Sequence, residues 1–117
     1  MKTKTTPKEY ITLRFHHDVD VTSCYVRSVP IEQKTSICGV PGFAVHRVYN
    51  RWDDPNPQTG VFKVSHVETG LALCIGDDPE HAITNSESKV MASGGIDALD
   101  IAIARAIELK KALTIAV

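Results

Sequence analysis

Residues 61–75 read VFKVSHVETGLALCI. Two short β-rich runs, Val61 to Val67 and Leu71 to Ile75, are separated by only Glu68-Thr69-Gly70. A three-residue connection with glycine at its end permits a tight turn and nothing longer, so the two runs must lie antiparallel. This spacing decides the fold class. A parallel pair would need a crossover of a dozen residues, and none is present.

Moving toward the N-terminus, the same grammar repeats. Phe43 to Asn50 reads as a third strand, joined to the fourth by RWDDPNPQTG at 51–60, which concentrates turn residues. Val21 to Val29 reads as a second strand, stopped or placed at an edge by Pro30. Residues 31–42, with Gly39, Pro41 and Gly42, read as a loop. Tyr10 to Phe15 alternates, with Ile11, Leu13 and Phe15 on one side, as a half-buried strand does. Residues 1–8 are basic and Thr-rich and read as a loose arm.

Toward the C-terminus, residues 76–93 are polar and irregular and read as a loop. Ser93 is a candidate N-cap before a helix from about Ile96 to Leu113. At 100° per residue, Leu99, Ala102, Ile103, Ala106 and Leu113 share one face, while Asp97, Glu108 and Lys111 lie opposite. Ile101 falls among the polar residues, where it marks a candidate contact with another molecule. The expectation is one α+β domain over residues 1–117, an antiparallel meander of about five strands (9–75) packed against one C-terminal helix (94–113).

Composition bounds the function. The chain has 117 residues, 43% hydrophobic and 23% charged, with formal net charge -1. Bulk charge of that kind does not hold nucleic acid nonspecifically, though a specific nucleic-acid contact is not excluded. The charge is unevenly spread: residues 1–51 carry +4 and residues 52–117 carry -5. Such poles can steer a partner or drive self-association. Cys24, Cys38 and Cys74 are odd in number and lack C-x-x-C spacing, which disfavours a disulfide framework or a thiolate zinc site. No leader or membrane-spanning run is visible, so the cytoplasm is the expected location.

No G-x-S-x-G, Walker or dinucleotide fingerprint is present. The adjacent carboxylates Asp53-Asp54 and Asp77-Asp78 sit on loops and point to water, not to each other across a cleft. Two candidate sites remain. If strands three and four pair about Asn56, His46 faces His66, and two imidazoles could hold a metal or share a proton. A third ligand would come from His16-His17-Asp18-x-Asp20. The second candidate is the loop at 51–60. It holds the only tryptophan, Trp52, beside Arg51 and near Tyr49, with Arg27 and Arg47 on neighbouring strands. Trp, Tyr and Arg dominate interface hot spots. Trp52 either anchors a partner or folds back over the sheet edge. Arg14, Tyr25, Arg27, Arg47 and Tyr49 also make a sparse version of the aromatic-and-cation face that binds nucleotides.

Phe43-x-Val45-His46 and Val64-Ser65-His66-Val67-Glu68-Thr69-Gly70-Leu71-Ala72 resemble small accessory proteins of phages and mobile elements. Those proteins are short sheet-plus-helix chains with a V-[ST]-H-x-x-T-G-L hairpin and an Ala-rich helix. The resemblance spans about residues 43–112 and transfers no functional residue. It implies a stoichiometric inhibitor or sponge of host-defence machinery, acting on a protein complex or a nucleotide signal. The leading expectation is therefore a non-catalytic, self-associating binding module without a cofactor, its partner a protein or a nucleotide-like small molecule. The alternative is a small metal- or histidine-dependent enzyme centred on His46 and His66.

Overall fold

A computed structural model of the chain describes residues 9–16, 23–112 and 114–115. The expected arm at 1–8 and the turn at His17, Asp18 and Asp20 lie outside the described residues. Five antiparallel strands follow one another in space as in sequence: β1 Tyr10–His16, β2 Ser23–Ile37, β3 Val40–Arg47, β4 Phe62–His66 and β5 Ala72–Gly76. Two helices follow, α1 Pro79–Ala92 and α2 Ile96–Ala112, and β6 Thr114–Ile115 returns parallel to the start of β2. The α+β class and the meander are as the sequence indicates.

The second strand runs past the expected stop. Residues 24–30 of β2 pair with β1, and residues 31–37 pair with β3, so one strand serves two neighbours. Pro30 sits at the handover. Ile31 donates its N–H to Glu9 O at 2.9 Å, on the β1 side. The nitrogen of Pro30 therefore faces the β3 side, one residue beyond the β3 ladder, where no donor is needed. The expected loop at 31–42 shrinks to a two-residue hairpin turn at Cys38-Gly39, with φ of 50° and 82°. Both central residues of a type I′ turn need positive φ. Cys38 tolerates it while its N–H donates to Glu87 Oε2 at 2.8 Å. The other turn residues of the segment, Pro41 and Gly42, form a bulge within β3, where Gly42 takes φ 95°.

Residues 76–93, expected to be loop, contain the 14-residue helix α1. Asp78 caps it, accepting from His81 N–H at 2.8 Å, and Pro79 opens it. Ser93, expected to cap the next helix, instead ends this one: its N–H donates to Lys89 O and Val90 O. Gly95 N–H donates to Val90 O at 2.8 Å, the 6→1 bond of a Schellman ending, with Gly94 at φ 118°.

The core lies between α1 and one face of the sheet. Ile37, Phe43, Val45 and Val64 meet Ala82 and Val90 of α1 and Leu99 of α2. Ser86 of α1 accepts from Cys74 N–H at 3.1 Å, and Asn85 donates to Ile75 O at 2.9 Å, so polar side chains also tie α1 to β5. The fit is close: a Cβ on Gly76 would lie 2.3 Å from Ala82 N. On the opposite face, Leu13 and Phe15 of β1 line a small cavity with His46 and Ser65. The sheet thus curls until Arg14 reaches the β4–β5 turn, donating to Thr69 O at 2.7 Å. That turn forms as the sequence indicates, with Gly70 at φ 76°.

Candidate functional site

The loop between β3 and β4 folds back onto β2 in place of projecting. Trp52 stacks on Tyr25 with ring centroids 4.6 Å apart and planes 13° apart. Arg27 lies over the Tyr49 ring at 3.7 Å and donates to the carbonyls of Trp52 and Asp54. Gln58 N–H closes the loop on Val48 O at 2.7 Å. The loop is thereby held in one shape by the strand beneath it. Trp52 is still 40% exposed. Arg51 beside it is exposed and lies 3.4 Å from Asp53. Trp52 thus folds back over the sheet edge with one ring face and leaves the rest of the ring open.

Arg47 does not join this cluster. Its guanidinium lies over Phe62 at 4.3 Å and pairs with Glu32 at 3.3 Å. Each of the three arginines expected to bind a ligand therefore already has an intramolecular acceptor. Of the aromatic platform, Tyr25 is covered by Trp52 and Tyr49 by Arg27.

The histidine pair does not form. The β3–β4 register sets Phe43 opposite His66 and His46 opposite Lys63, three residues away from a hairpin centred on Asn56. Faces alternate along a strand, so the two imidazoles lie on opposite sides of the sheet. They cannot share a metal or a proton. Among the described residues no group of three His, Cys, Asp or Glu is placed to hold a metal ion.

Each imidazole has a different local role. His46 Nδ1 lies 2.7 Å from Arg47 O, which only accepts, so Nδ1 carries the proton. Nε2 then accepts from Ser65 Oγ–H at 2.8 Å. Burial holds the His46 pKa below its ordinary 6.5, opposed by the Arg47 hydrogen bond and assisted by Lys63. This arrangement of hydroxyl, base and orienting acceptor is that of a nucleophilic dyad. Ser65 is only 1% exposed, however, and the cavity beside it holds about 110 Å³. The pair acts as a polar clamp between β3 and β4. His66 packs edge-on against Phe43 at 5.1 Å and lies 2.9 Å from Thr69 Oγ1. Thr69 Oγ1 also accepts Leu71 N–H, so the imidazole braces the turn. Burial lowers the His66 pKa, against a raising effect of Glu68.

The sequence offered no sign of Ser65 as the partner of His46, since that contact depends on register, whereas Thr69 lies three residues after His66 in the same turn and was within local reach. Ile101 is 54% exposed, as its place on the helix wheel requires. Cys38 and Cys74 are free and half-buried. A concavity of about 520 Å³ lies at the sheet end beside Tyr10, Ile31, Phe43 and Val67. Among the described residues its charged rim is Glu9 and Lys34, which pair with each other. No helix among the described residues is long and apolar enough to cross a membrane.

Comparison with family models, with characterised proteins and with solved structures finds no match for this chain. The site must be read from its own geometry.

Proposed function

We propose that the chain is a non-catalytic binding module that engages a protein partner through the loop at 50–54. One observation carries this reading: Trp52 is exposed yet clamped flat on Tyr25, with its backbone held by Arg27. An aromatic already fixed in place loses little entropy on binding, and Arg51 beside it supplies a charged rim. The partner is a protein more readily than a nucleotide-like anion, because Arg27 and Arg47 are committed to carbonyls or a carboxylate. The resemblance to phage accessory proteins suggests a stoichiometric inhibitor of a host-defence complex. Ile101 is the contact proposed for self-association. A histidine-dependent enzyme has less support, since its two imidazoles face apart.

The test is native mass spectrometry of the protein recovered from its own cells. Wild type is expected to carry a protein partner that Trp52→Ala and Arg51→Glu lose and Lys111→Ala retains. A Trp52→Ala protein that keeps the same partner overturns the loop as the site.

A further inference from the structure

Helix α2 is seated over open space. The side of α2 toward the sheet carries Ala98, Leu99, Ala102, Ile103 and Ala106; Leu99 is fully buried, Ile103 packs half-buried against the core, and Leu109 is 55% exposed. Alanines at three of five positions leave the sheet side unfilled. One cleft of about 210 Å³ lies between α2, Leu71, Leu73 and Val90. A second, separate cleft of about 150 Å³ lies under Ala106 and Leu109. Leu71 lines both. Together they reach the lower range of small-molecule sites, about 300 Å³.

The two ends differ in charge. The second cleft ends at Arg14 and Lys110. Arg14 donates to Thr69 O at 2.7 Å and Lys110 to Glu68 O at 2.8 Å, neighbouring carbonyls of one turn. Neither cation meets a carboxylate among the described residues. Glu68, whose backbone carbonyl Lys110 meets, is exposed. Two cations on neutral acceptors retain most of their attraction for an anion. The other end of the clefts offers a single cation, Lys89.

We infer that the space beneath α2 is a binding site for a single-chain amphiphile with an anionic head. The carboxylate or phosphate sits at Arg14 and Lys110, and the alkyl chain runs past Leu71 along Ala102 toward Val90. This site is independent of the Trp52 loop. A carboxylate and a phosphate ester share the required chemistry, so both are tested.

The experiment measures binding of laurate, dodecyl phosphate, octanoate, dodecanol and inorganic phosphate to the full chain, below micelle concentrations, by native mass spectrometry and thermal shift. Laurate or dodecyl phosphate is expected to bind one per chain and raise the melting temperature. Each methylene buried contributes about four-fold in affinity, so octanoate should bind at least ten-fold more weakly. Dodecanol and inorganic phosphate should each be at least ten-fold weaker, since one lacks the head and the other the chain. Lys110→Met should weaken laurate at least five-fold while Lys89→Met leaves it unchanged. Ala102→Phe should abolish laurate binding with no loss of melting temperature, because it fills the cleft. Equal binding of dodecanol, equal binding of inorganic phosphate, or no dependence on chain length each overturns the site. Those three use the wild-type chain, so the outcome does not hang on any variant folding.

Discussion

The two helices of this chain are of similar length but are held in opposite ways. α1 presents Ala82, Ser86 and Val90 to the sheet, all fully buried, and bonds two backbone groups of β5. Its approach is so close that Gly76 has no room for a Cβ. α2 is the longer and the more apolar in composition, yet it buries Leu99 alone. Apolar content therefore does not measure how firmly a helix is held. What counts is whether the side chains fill the space opposite them. α1, with a serine in its buried row, is closed against β5. α2, rich in alanine, bridges a cleft.

That contrast makes α1 and the sheet a cooperative unit and α2 a separable one, and it can be broken in order of expected effect. Phe43→Ala removes the largest core side chain and should cost about 3–5 kcal/mol. Chemical denaturation should show the whole fold weakened, and a loss confined to one element would refute a single core. Leu99→Ala should cost about 2–3 kcal/mol, but locally. Amide exchange should quicken across α2 and stay slow in β3 and β4. Uniform quickening would erase the distinction between the helices.

Acid probes the sheet through its two buried histidines. Burial makes His46 and His66 harder to protonate folded than unfolded, so the unfolded chain takes up more protons below pH 6.5. The stability these groups contribute is complete above that pH and is lost as the pH falls through it toward their lowered folded values. The slope is up to about 1.4 kcal/mol per pH unit for each histidine. Melting temperatures from pH 8 to 5 should fall accordingly, and the double variant His46→Leu/Ser65→Ala should flatten the curve. An unchanged curve would remove His46 from the account.

Trp52→Ala comes next, at about 1 kcal/mol for the lost stack on Tyr25. Urea unfolding measures it, and a cost above about 3 kcal/mol would make Trp52 a core residue and not a binding one. Ile101→Ala should change chain stability by less than about 0.5 kcal/mol. Sedimentation should show wild type self-associating and the variant not, and identical masses would end the role given to Ile101.

Much of the fold was legible because strands announce themselves locally. Alternation from Tyr10 to Phe15 and the tight Glu68-Thr69-Gly70 turn are written in adjacent residues. α1 was not legible by periodicity, since its inward row is Ala82, Ser86 and Val90 with polar residues on every side. Its start was nonetheless marked by Asp78-Pro79-Glu80, a cap, a first-position proline and a first-turn acid. Polar composition outweighed that signal. Pro30 and Pro41 read as interruptions, yet both lie inside strands where the ladder needs no donor or bulges around them.

The sequence by itself determined the antiparallel α+β class, the exposure of Ile101 and the nature of the residues at the hairpin tip. Tertiary structure decided which of them meet. A register three residues from the symmetric one moved His46 and His66 to opposite faces, because a single odd shift reverses every side chain on a strand. It also laid Trp52 on Tyr25 and left α2 above an open cleft. Those outcomes depend on distances between segments far apart in the chain, and no local pattern of residue types encodes them.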